Sequence, residues 1–389
     1  MTVVLKPGRE RPVLTGHPWI FSGAIDRVEG EGVPGALVQV LSAQGQLLGT
    51  GYLNPGCSIA ERMLSRADEP VDAAFMRRRL NDALSLRRSL LPPDTNAFRC
   101  VNGEGDFLPG LVIDVYGPFA VCQFLTAGAD LLRDLVLTEL VGVLGPEGVY
   151  EKSEGGVRRE EGLRNQAGML WGVEPPPLVE IREADLVFPV DVRGGQKTGF
   201  FLDQRDNRSL VGAFAGEKSV LDAFAYSGGF GASAARGGAA RVVSVETSPA
   251  ALELSGEVWR RNHLPADKAH WIRADAFHYL RTAEEVFDLV VLDPPPFVRR
   301  KQDLRAGVGG YKEINLQALR RISPGGWLFT FSCSQHVSRE LFTETVMSAA
   351  AHAGRTVQIL RRLGPAADHP VGLAHPEGEY LNGLWLRAL

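Results

Sequence analysis

Cysteine is scarce in this sequence. The 389-residue chain contains four cysteines, Cys57, Cys100, Cys122 and Cys333. They lie far apart and form no C-x-x-C pair, which speaks against both a disulfide framework and a cysteine-based zinc site. We therefore expect four free thiols and no bound metal.

Long apolar runs are also missing. No segment approaches the roughly 18–20 consecutive apolar residues that span a bilayer, and the N-terminal stretch MTVVLKPGRERPV has charge and proline where a secretory signal is apolar. The composition, with 44% hydrophobic and 23% charged residues, is that of a globular protein. These features predict a soluble, cytoplasmic protein without a membrane partner.

A basic excess, which nucleic-acid-binding proteins often show, is absent because the net charge is −4. Acidic residues are most in excess between residues 67 and 180. Any surface that binds RNA must therefore be a local basic patch.

The order of sequence patterns predicts three domains, at residues 1–68, 69–180 and 181–389. Short alternating runs with glycine, such as ALVQVLSAQGQLLGTGYL, indicate a small β-rich module at the start. An amphipathic helix over residues 71–91, with Phe75, Leu80, Leu84 and Leu91 near one face, opens the second domain. Strands at 111–116 and 119–124 and a helix around 130–144 follow, and the prolines at 175–177 read as a linker.

From about residue 186 onward, β-branched runs alternate with helical ones. This alternation predicts an α/β domain with a parallel sheet and helices on both faces. Ligands of such sheets bind at the carboxyl ends of the strands. The predicted strands end at the chemically useful residues Asp222, Glu246, Asp275, Asp293 and Cys333.

The turn AFAYSGGFG after Asp222 lets the backbone approach a ligand closely through Gly228, Gly229 and Gly231. It is not G-x-G-x-x-G, so it suits an adenosyl group with an amino-acid tail better than a pyrophosphate, and a nicotinamide dehydrogenase is the weaker alternative. Glu246 follows this turn at a spacing where its carboxylate could accept hydrogen bonds from the hydroxyls of a ribose. Each acidic residue alone is equally compatible with a helix cap or a surface charge.

The stretch LDPPPFVRRK at 292–301 places Asp293 before three prolines that stiffen the backbone. A flat base could be held there, although a plain rigid strand exit is the alternative. Arg299, Arg300 and Lys301 are candidates for gripping RNA phosphates, and a solvated face explains them nearly as well. The same choice applies to the arginines at 77–79.

Several stretches resemble, in chain order, the signatures of one family: LKPGRERPVLTGHPWIFSGAI, VNGEGDFLPGLVIDVYG, GGQKTGFFLDQRDNR, VLDAFAYSGGFG, LDPPPF, FSCSQHV and ADHPV. The family is that of the PUA-containing class I S-adenosylmethionine-dependent 23S ribosomal RNA cytosine-5 methyltransferases. The resemblance covers essentially the whole chain. It departs at Cys100, where an aliphatic residue is expected and where we expect the thiol to pack.

The resemblance implies a β-rich PUA domain for RNA, a central α+β domain and a C-terminal Rossmann-like methyltransferase domain with a seven-stranded, mainly parallel sheet. It implies S-adenosylmethionine as cofactor, with Asp222 and Gly228 at its methionine portion, Glu246 at its ribose and Asp275 near its adenine. Gln204 and Arg205 would close over it, with Arg205 pairing its carboxylate. The full set of predicted cofactor-binding residues is Gln204, Arg205, Asp222, Phe224, Ser227, Gly228, Glu246, Asp275, Ala276 and Asp293.

Cytosine C5 is a poor nucleophile until a thiolate adds to C6. Within WLFTFSCSQHV, Cys333 is the candidate nucleophile because it alone among the cysteines lies at a strand end beside the predicted cofactor crevice, although free cysteines usually pack inertly. Asp293 is the candidate partner of the pyrimidine N3 edge. His336, Asp368 and His369 receive no role.

Two alternatives stay open. The same fold could methylate an exocyclic amine or a guanine without a cysteine nucleophile, or the chain could be a non-catalytic RNA-binding factor of ribosome assembly. The expected partner is 23S ribosomal RNA, free or in a partly assembled subunit, with the target base unpaired or flipped out. A homodimer is considered, and the oligomeric state and the modified nucleotide are left open.

Overall fold

The computed structural model describes all 389 residues. The chain divides into two compact units, one formed by residues 1–182, 190–202 and 367–378, the other by residues 183–189, 203–366 and 379–389. None of the helices is both long enough and apolar enough to cross a membrane.

The first unit begins with a six-stranded sheet, in the order β2-β6-β5-β4-β1-β3. Its strands are β1 (Thr2–Leu5), β2 (Trp19–Phe21), β3 (Ile25–Glu29), β4 (Ala36–Leu41), β5 (Leu47–Leu53) and β6 (Ile59–Ser65), with the short helix α1 (Arg11–Leu14) after β1. Gly49 in β5 has φ +142°, and a Cβ there would lie 2.1 Å from the Ser65 carbonyl oxygen. The predicted β-rich module is therefore confirmed, and its glycines allow close strand contacts.

The rest of the first unit is α+β, as predicted, with a five-stranded sheet in the order β11-β10-β9-β8-β7. The strands are β7 (Ala97–Asn102), β8 (Leu111–Tyr116), β9 (Phe119–Phe124), β10 (Gly148–Ser153) and β11 (Gln166–Gly172), and the helices are α2 (Ala73–Leu90), α3 (Ala127–Leu131), α4 (Arg133–Leu144) and α5 (Gly156–Glu160).

Helix α2 confirms the predicted amphipathic helix. Phe75, Leu80 and Leu84 are buried on its inner face, whereas Leu91 lies just beyond the helix as its C-cap. The Asp72 side chain accepts a hydrogen bond from the Phe75 backbone N–H and so caps the N-terminus. The helix predicted around 130–144 is interrupted at Leu132, which caps both α3 and α4.

The buried Arg87 side chain links α2 to Asp106 by an ion pair and to the segment 367–378 by a hydrogen bond. Arg87 contacts the carboxylate of Asp106, and its Nη2 donates to the Asp368 carbonyl oxygen at 2.8 Å. The Arg99 backbone N–H donates to Asp368 Oδ2 at 2.9 Å. Asp368 therefore has a structural role in this unit.

Residues 174–178, including the proline run, belong to no helix or strand. Strands β12 (Val179–Glu183) and β13 (Leu186–Val190) follow in the chain. The division into domains at 1–68, 69–180 and 181–389 stays a prediction.

The second unit is an α/β domain with the sheet order β16-β15-β14-β17-β18-β20-β19. Its elements are α6 (Arg205–Phe214), β14 (Ser219–Ala223), α7 (Gly229–Arg236), β15 (Arg241–Glu246), α8 (Pro249–Arg261), β16 (Ala269–Arg273), α9 (Ala276–Thr282), β17 (Phe287–Leu292), α10 (Leu304–Arg320), β18 (Ile322–Ser332), α11 (Arg339–Ala353), β19 (Val357–Leu363) and β20 (Asn382–Ala388).

Only β20 runs antiparallel to its neighbours, so the predicted seven-stranded, mainly parallel sheet is confirmed. Helices α9, α10 and α11 contribute to the apolar core on one face, and α6, α7 and α8 to the core on the other. The chain steps outward from β14 in one direction through β15 and β16, and in the other through β17 and β18. A crevice for a ligand is expected where the order reverses, between β14 and β17.

Candidate active site

Neighbouring parallel strands bring the predicted site residues to one edge of the sheet. Asp222 lies near the end of β14 and Glu246 ends β15, while Asp293 directly follows β17 and Cys333 directly follows β18. The register pairs Ala223 with Leu292. Because these strands are parallel, their carboxyl ends meet, as the sequence predicted.

The turn after β14 is tightly wound. Phe224, Tyr226 and Gly228 have φ values of 63°, 47° and 75°, in the left-handed region that favours glycine. A Cβ at Gly228 would lie 2.1 Å from Ser255 Oγ. The turn is therefore packed directly against Ser255 of α8. Strained non-glycine backbone persists only where the surroundings enforce it, often at ligand sites, so this turn is a candidate ligand contact.

Asp222, near the end of β14 and just before this turn, has a buried carboxyl group. Its Oδ2 accepts a hydrogen bond from the Gly231 backbone N–H at 2.9 Å. The pKa of Asp222 is raised to about 7, mainly by burial and also by the nearby carboxylates of Asp293 and Glu246, against the lowering effect of the Gly231 hydrogen bond. A group of carboxylates at one edge favours a ligand that carries positive charge.

Local hydrogen bonds orient Glu246. Its Oε2 accepts from the Tyr226 backbone N–H at 3.0 Å, and its Oε1 accepts from the backbone N–H groups of Thr247 at 2.7 Å and Ser248 at 3.0 Å. The carboxylate is thus tied to the strained turn. Its role at a ribose stays a prediction.

Asp275 lies two residues beyond β16, which ends at Arg273, and not at the strand end as predicted. Its Oδ1 accepts from the His278 backbone N–H at 2.9 Å and caps α9, whose first residue is Ala276. Asp275 is therefore a helix cap through its Oδ1 atom. Contacts of Asp275 and Ala276 with an adenine stay predictions.

Gln204 connects α6 to the end of β17. Its Nε2 donates to Asp293 Oδ1 at 2.9 Å, and its Oε1 accepts from Asn207 Nδ2 at 2.6 Å. Arg205 beside it is buried and begins α6. The sequence predicted Gln204 as a cofactor contact and missed Asn207, although both lie in the quoted stretch GGQKTGFFLDQRDNR.

Cys333 is half-buried, and its Sγ lies 3.6 Å from the Pro294 carbonyl oxygen. The thiol therefore contacts the proline segment that begins at Asp293. All four cysteines are free, as predicted. Cys100 and Cys122 are buried in the first unit, where burial raises the pKa of Cys100 to about 12 and raises that of Cys122 strongly. Such thiols are poor nucleophiles.

The predicted RNA-binding residues Arg299, Arg300 and Lys301 are exposed between the proline segment and α10. The arginines of α2 differ, because they are engaged within the protein. Arg77 Nε donates to Glu139 Oε2 at 2.7 Å and Arg79 Nη2 to the Leu64 carbonyl oxygen at 3.0 Å. The stretch 299–301 is therefore the better candidate for phosphate contacts.

Two family profiles match the chain, a PUA-like domain over residues 3–66 and an S-adenosylmethionine-dependent methyltransferase over residues 160–370. The ribosomal RNA large subunit methyltransferase I of Tolumonas auensis is 42% identical over 394 residues, covering 100% of this chain and 99% of the relative. The protein of that name from Aeromonas salmonicida is 43% identical, covering 99% of each chain.

The fold is also that of a solved S-adenosylmethionine-dependent methyltransferase from Streptococcus mutans. That structure covers 100% of both chains with a TM-score of 0.86 and 23% sequence identity. A second solved structure, of a protein described as a methyltransferase and determined in complex with SAH, superposes with a TM-score of 0.87 over 100% of both chains, also at 23% identity.

The fold, the strand-end site and these matches define an S-adenosylmethionine-dependent methyltransferase with an N-terminal PUA-like domain. The chain belongs to the ribosomal RNA large subunit methyltransferase I family. The predicted family, fold class and cofactor are thus confirmed. The strained turn at 224–228 and the carboxylates beside it fit a cofactor that carries a positive sulfonium and an amino group.

Proposed function

We propose that this chain transfers a methyl group to C5 of a cytosine in large-subunit (23S) ribosomal RNA through a covalent bond between Cys333 Sγ and C6 of the base. The names of its relatives support the RNA substrate. The observation that carries the cytosine assignment is the contact of the Cys333 thiol with Pro294, beside Asp293 at the cofactor edge of the sheet.

When bound, S-adenosylmethionine supplies an electrophilic methyl group on its sulfonium. The Cys333 thiolate adds to C6, and the electron pair of the C5=C6 bond moves onto C5, which becomes nucleophilic enough to take the methyl. A base then removes the C5 proton. The electrons of that C–H bond restore the C5=C6 bond as the sulfur–C6 bond breaks and the thiolate leaves.

Asp293 would hold a proton against N3 of the cytosine, and this shared proton would offset the negative charge that develops there after the thiolate adds. The hydrogen bond from Gln204 Nε2 engages Asp293 Oδ1 and fixes the plane of the carboxyl group. The second oxygen can then face a base held against the proline segment. Arg205, Phe224, Ser227 and the strand-end acids would hold the cofactor.

Methylation of an exocyclic amine is the closest competing function. An acid-proline-proline-aromatic segment suits that chemistry when the aromatic ring stacks on the base. Here the Phe297 ring packs at 4.6 Å from Tyr311 and 5.5 Å from Phe277, measured between ring centroids. These contacts occupy part of the half-buried Phe297 ring and so limit its stacking on a base, which favours the cysteine mechanism.

The target nucleotide would leave its helix to reach the thiol, while Arg299, Arg300, Lys301 and the PUA-like domain would contact the RNA backbone. The homodimer and the cytoplasmic location stay predictions.

The experiment that tests the proposed function compares Cys333→Ala with Cys57→Ala in cells that lack the native gene. Cys57 is the matched control because its thiol lies in the other unit, 3.3 Å from the Glu160 carbonyl oxygen. We expect 5-methylcytosine in large-subunit RNA from cells with the wild-type or Cys57→Ala protein and none with Cys333→Ala. A methylated amine that persists in Cys333→Ala would establish the competing function.

A further inference from the structure

A cluster of buried hydroxyl groups surrounds the backbone on both sides of Cys333, the candidate nucleophile. It consists of Tyr311 from α10 and the two serines that flank Cys333, Ser332 and Ser334, and all three are at most 1% exposed. The Tyr311 hydroxyl lies 2.8 Å from Ser334 Oγ, and Ser332 Oγ accepts from the Ser334 backbone N–H at 3.4 Å. Buried hydroxyls need such partners, so the cluster fixes the conformation on both sides of Cys333.

The same cluster holds the segment that carries Asp293. Ser334 Oγ accepts a hydrogen bond from the Val298 backbone N–H at 3.1 Å. The chain from Asp293 to Val298 is thereby attached at its far end to Ser334, and at its near end the Pro294 carbonyl oxygen lies against Cys333 Sγ. One network therefore links the two segments that present the thiol and the carboxylate.

Helix α10 gives this network a rigid support. A Cβ at Gly307 would lie 2.2 Å from Val298 Cγ2 and 2.9 Å from the Phe297 carbonyl oxygen, so the helix packs against the segment without a gap. The Tyr311 ring also packs against Phe342, at 5.6 Å between centroids. Burial raises the pKa of Tyr311, although its hydrogen bonds with Ser332 and Ser334 act in the opposite direction. The raised pKa keeps the hydroxyl protonated.

We propose that Tyr311 and Ser334 are positioning residues for the methyl transfer. They would hold Cys333 Sγ and the Asp293 carboxylate at a fixed separation, so that the thiol reaches C6 while the carboxylate contacts the N3 edge of the same base. Neither residue would touch the base, and both would act through Cys333 and Asp293. Such positioning matters because a displacement of a reacting group by about 1 Å can slow a reaction by a large factor. The inference rests on the proposed function.

Tyr311→Phe is the first test, because it removes one hydroxyl and keeps the ring. We expect the rate constant of methyl transfer to fall about tenfold, the scale of one lost hydrogen bond, with unchanged affinity for S-adenosylmethionine and unchanged KM for RNA. Tyr279→Phe is the matched control. Its hydroxyl is buried beside Arg241 and Arg321, at the amino ends of β15 and β18, and should leave the rate unchanged.

Ser334→Ala and the double variant give a second, independent test. If the Tyr311–Ser334 bond positions the thiol, the rate constant of the double variant should be no lower than that of the less active single variant. Losses that multiply would contradict a shared network. A parallel fall in S-adenosylmethionine affinity, or in melting temperature without a separate effect on the rate constant, would show a merely structural role and overturn the inference.

The step itself can be isolated with large-subunit ribosomal RNA transcribed with 5-fluorocytidine. Fluorine cannot leave C5 as a cation, so the protein–RNA adduct accumulates. We expect the adduct to form about tenfold more slowly in Tyr311→Phe. Formation at the wild-type rate would overturn the positioning role alone, whereas no adduct in the wild-type protein would overturn the proposed function and this inference with it.

Discussion

Gln204 Nε2 donates a 2.9 Å hydrogen bond to Asp293 Oδ1. Gln204 lies just before α6, whereas Asp293 follows β17, so the bond joins two segments that are distant in the chain. Asn207 Nδ2 donates both to Gln204 Oε1 at 2.6 Å and to the Gly364 carbonyl oxygen at 3.0 Å. The amide of Gln204 is thereby held in the one orientation that presents a donor to Asp293.

Gln204→Glu should therefore impair catalysis. The change replaces a donor by a second carboxylate beside Asp293, and the repulsion should turn Asp293 away from the base. We expect the rate of methyl transfer to fall by about ten- to a hundredfold, as for a lost charge-assisted hydrogen bond. Single-turnover methylation measures it, and a rate equal to that of the wild type would show that Asp293 needs no such partner.

Gly228→Ala should distort the turn after β14. The residue has φ +75°, and the new Cβ would lie 2.1 Å from Ser255 Oγ. We expect a loss of about 1–3 kcal/mol in the free energy of unfolding and no measurable binding of S-adenosylmethionine by calorimetry. Gly256→Ala on the neighbouring helix α8 is the control, because no atom lies within 4 Å of its Cβ. Equal binding by both variants would contradict the assignment of the turn.

Asp222 should make stability depend on pH. Its pKa of about 7 in the folded protein lies above the ordinary value of 3.8, mainly because it is buried. Between these values the folded state binds more protons than the unfolded state. The free energy of unfolding should therefore fall as pH rises, by at most about 1.4 kcal/mol per pH unit. Denaturant titrations of Asp222→Asn should lack this component, and an unchanged pH dependence would contradict it.

The same carboxylate should link cofactor affinity to pH. A positively charged ligand lowers the pKa of a nearby acid, so binding of S-adenosylmethionine should release a proton near pH 6 and strengthen as pH rises through 7. Calorimetry in buffers of different ionisation enthalpy detects that proton. Uptake of a proton, or none, would place the sulfonium away from Asp222.

The basic stretch 299–301 should contribute to RNA affinity and not to chemistry. The triple alanine variant of Arg299, Arg300 and Lys301 should raise KM for RNA several-fold and weaken its salt dependence, because fewer counterions are released. The rate constant at saturating RNA should not change. Arg260→Ala, which removes an exposed arginine that pairs with Glu257 on α8, is the control. A fall in the saturated rate alone would contradict a phosphate-binding role.

Local patterns predicted the strands of the second unit and the residues that end them, because buried parallel strands are short β-branched runs and their carboxyl ends must share an edge. Contacts between distant segments left no such pattern. The contact of Asn207 with Gly364 and that of Tyr311 with Ser334 could not be predicted from the neighbouring residues in the chain. The break at Leu132 has no clear sequence signal, since α3 and α4 together have the composition of one apolar helix. The role of Asp275 could not be decided from the sequence, because an aspartate is equally suited to cap a helix and to contact a ligand.

The most direct test of the cysteine mechanism is the intact mass of the protein after incubation with S-adenosylmethionine and 5-fluorocytidine-containing large-subunit RNA, followed by nuclease digestion. We expect a methylated fluorocytidine fragment attached to Cys333 in the wild-type protein and no attached fragment in Cys333→Ser. An active wild-type enzyme that carries no fragment, or a fragment attached elsewhere, would contradict it.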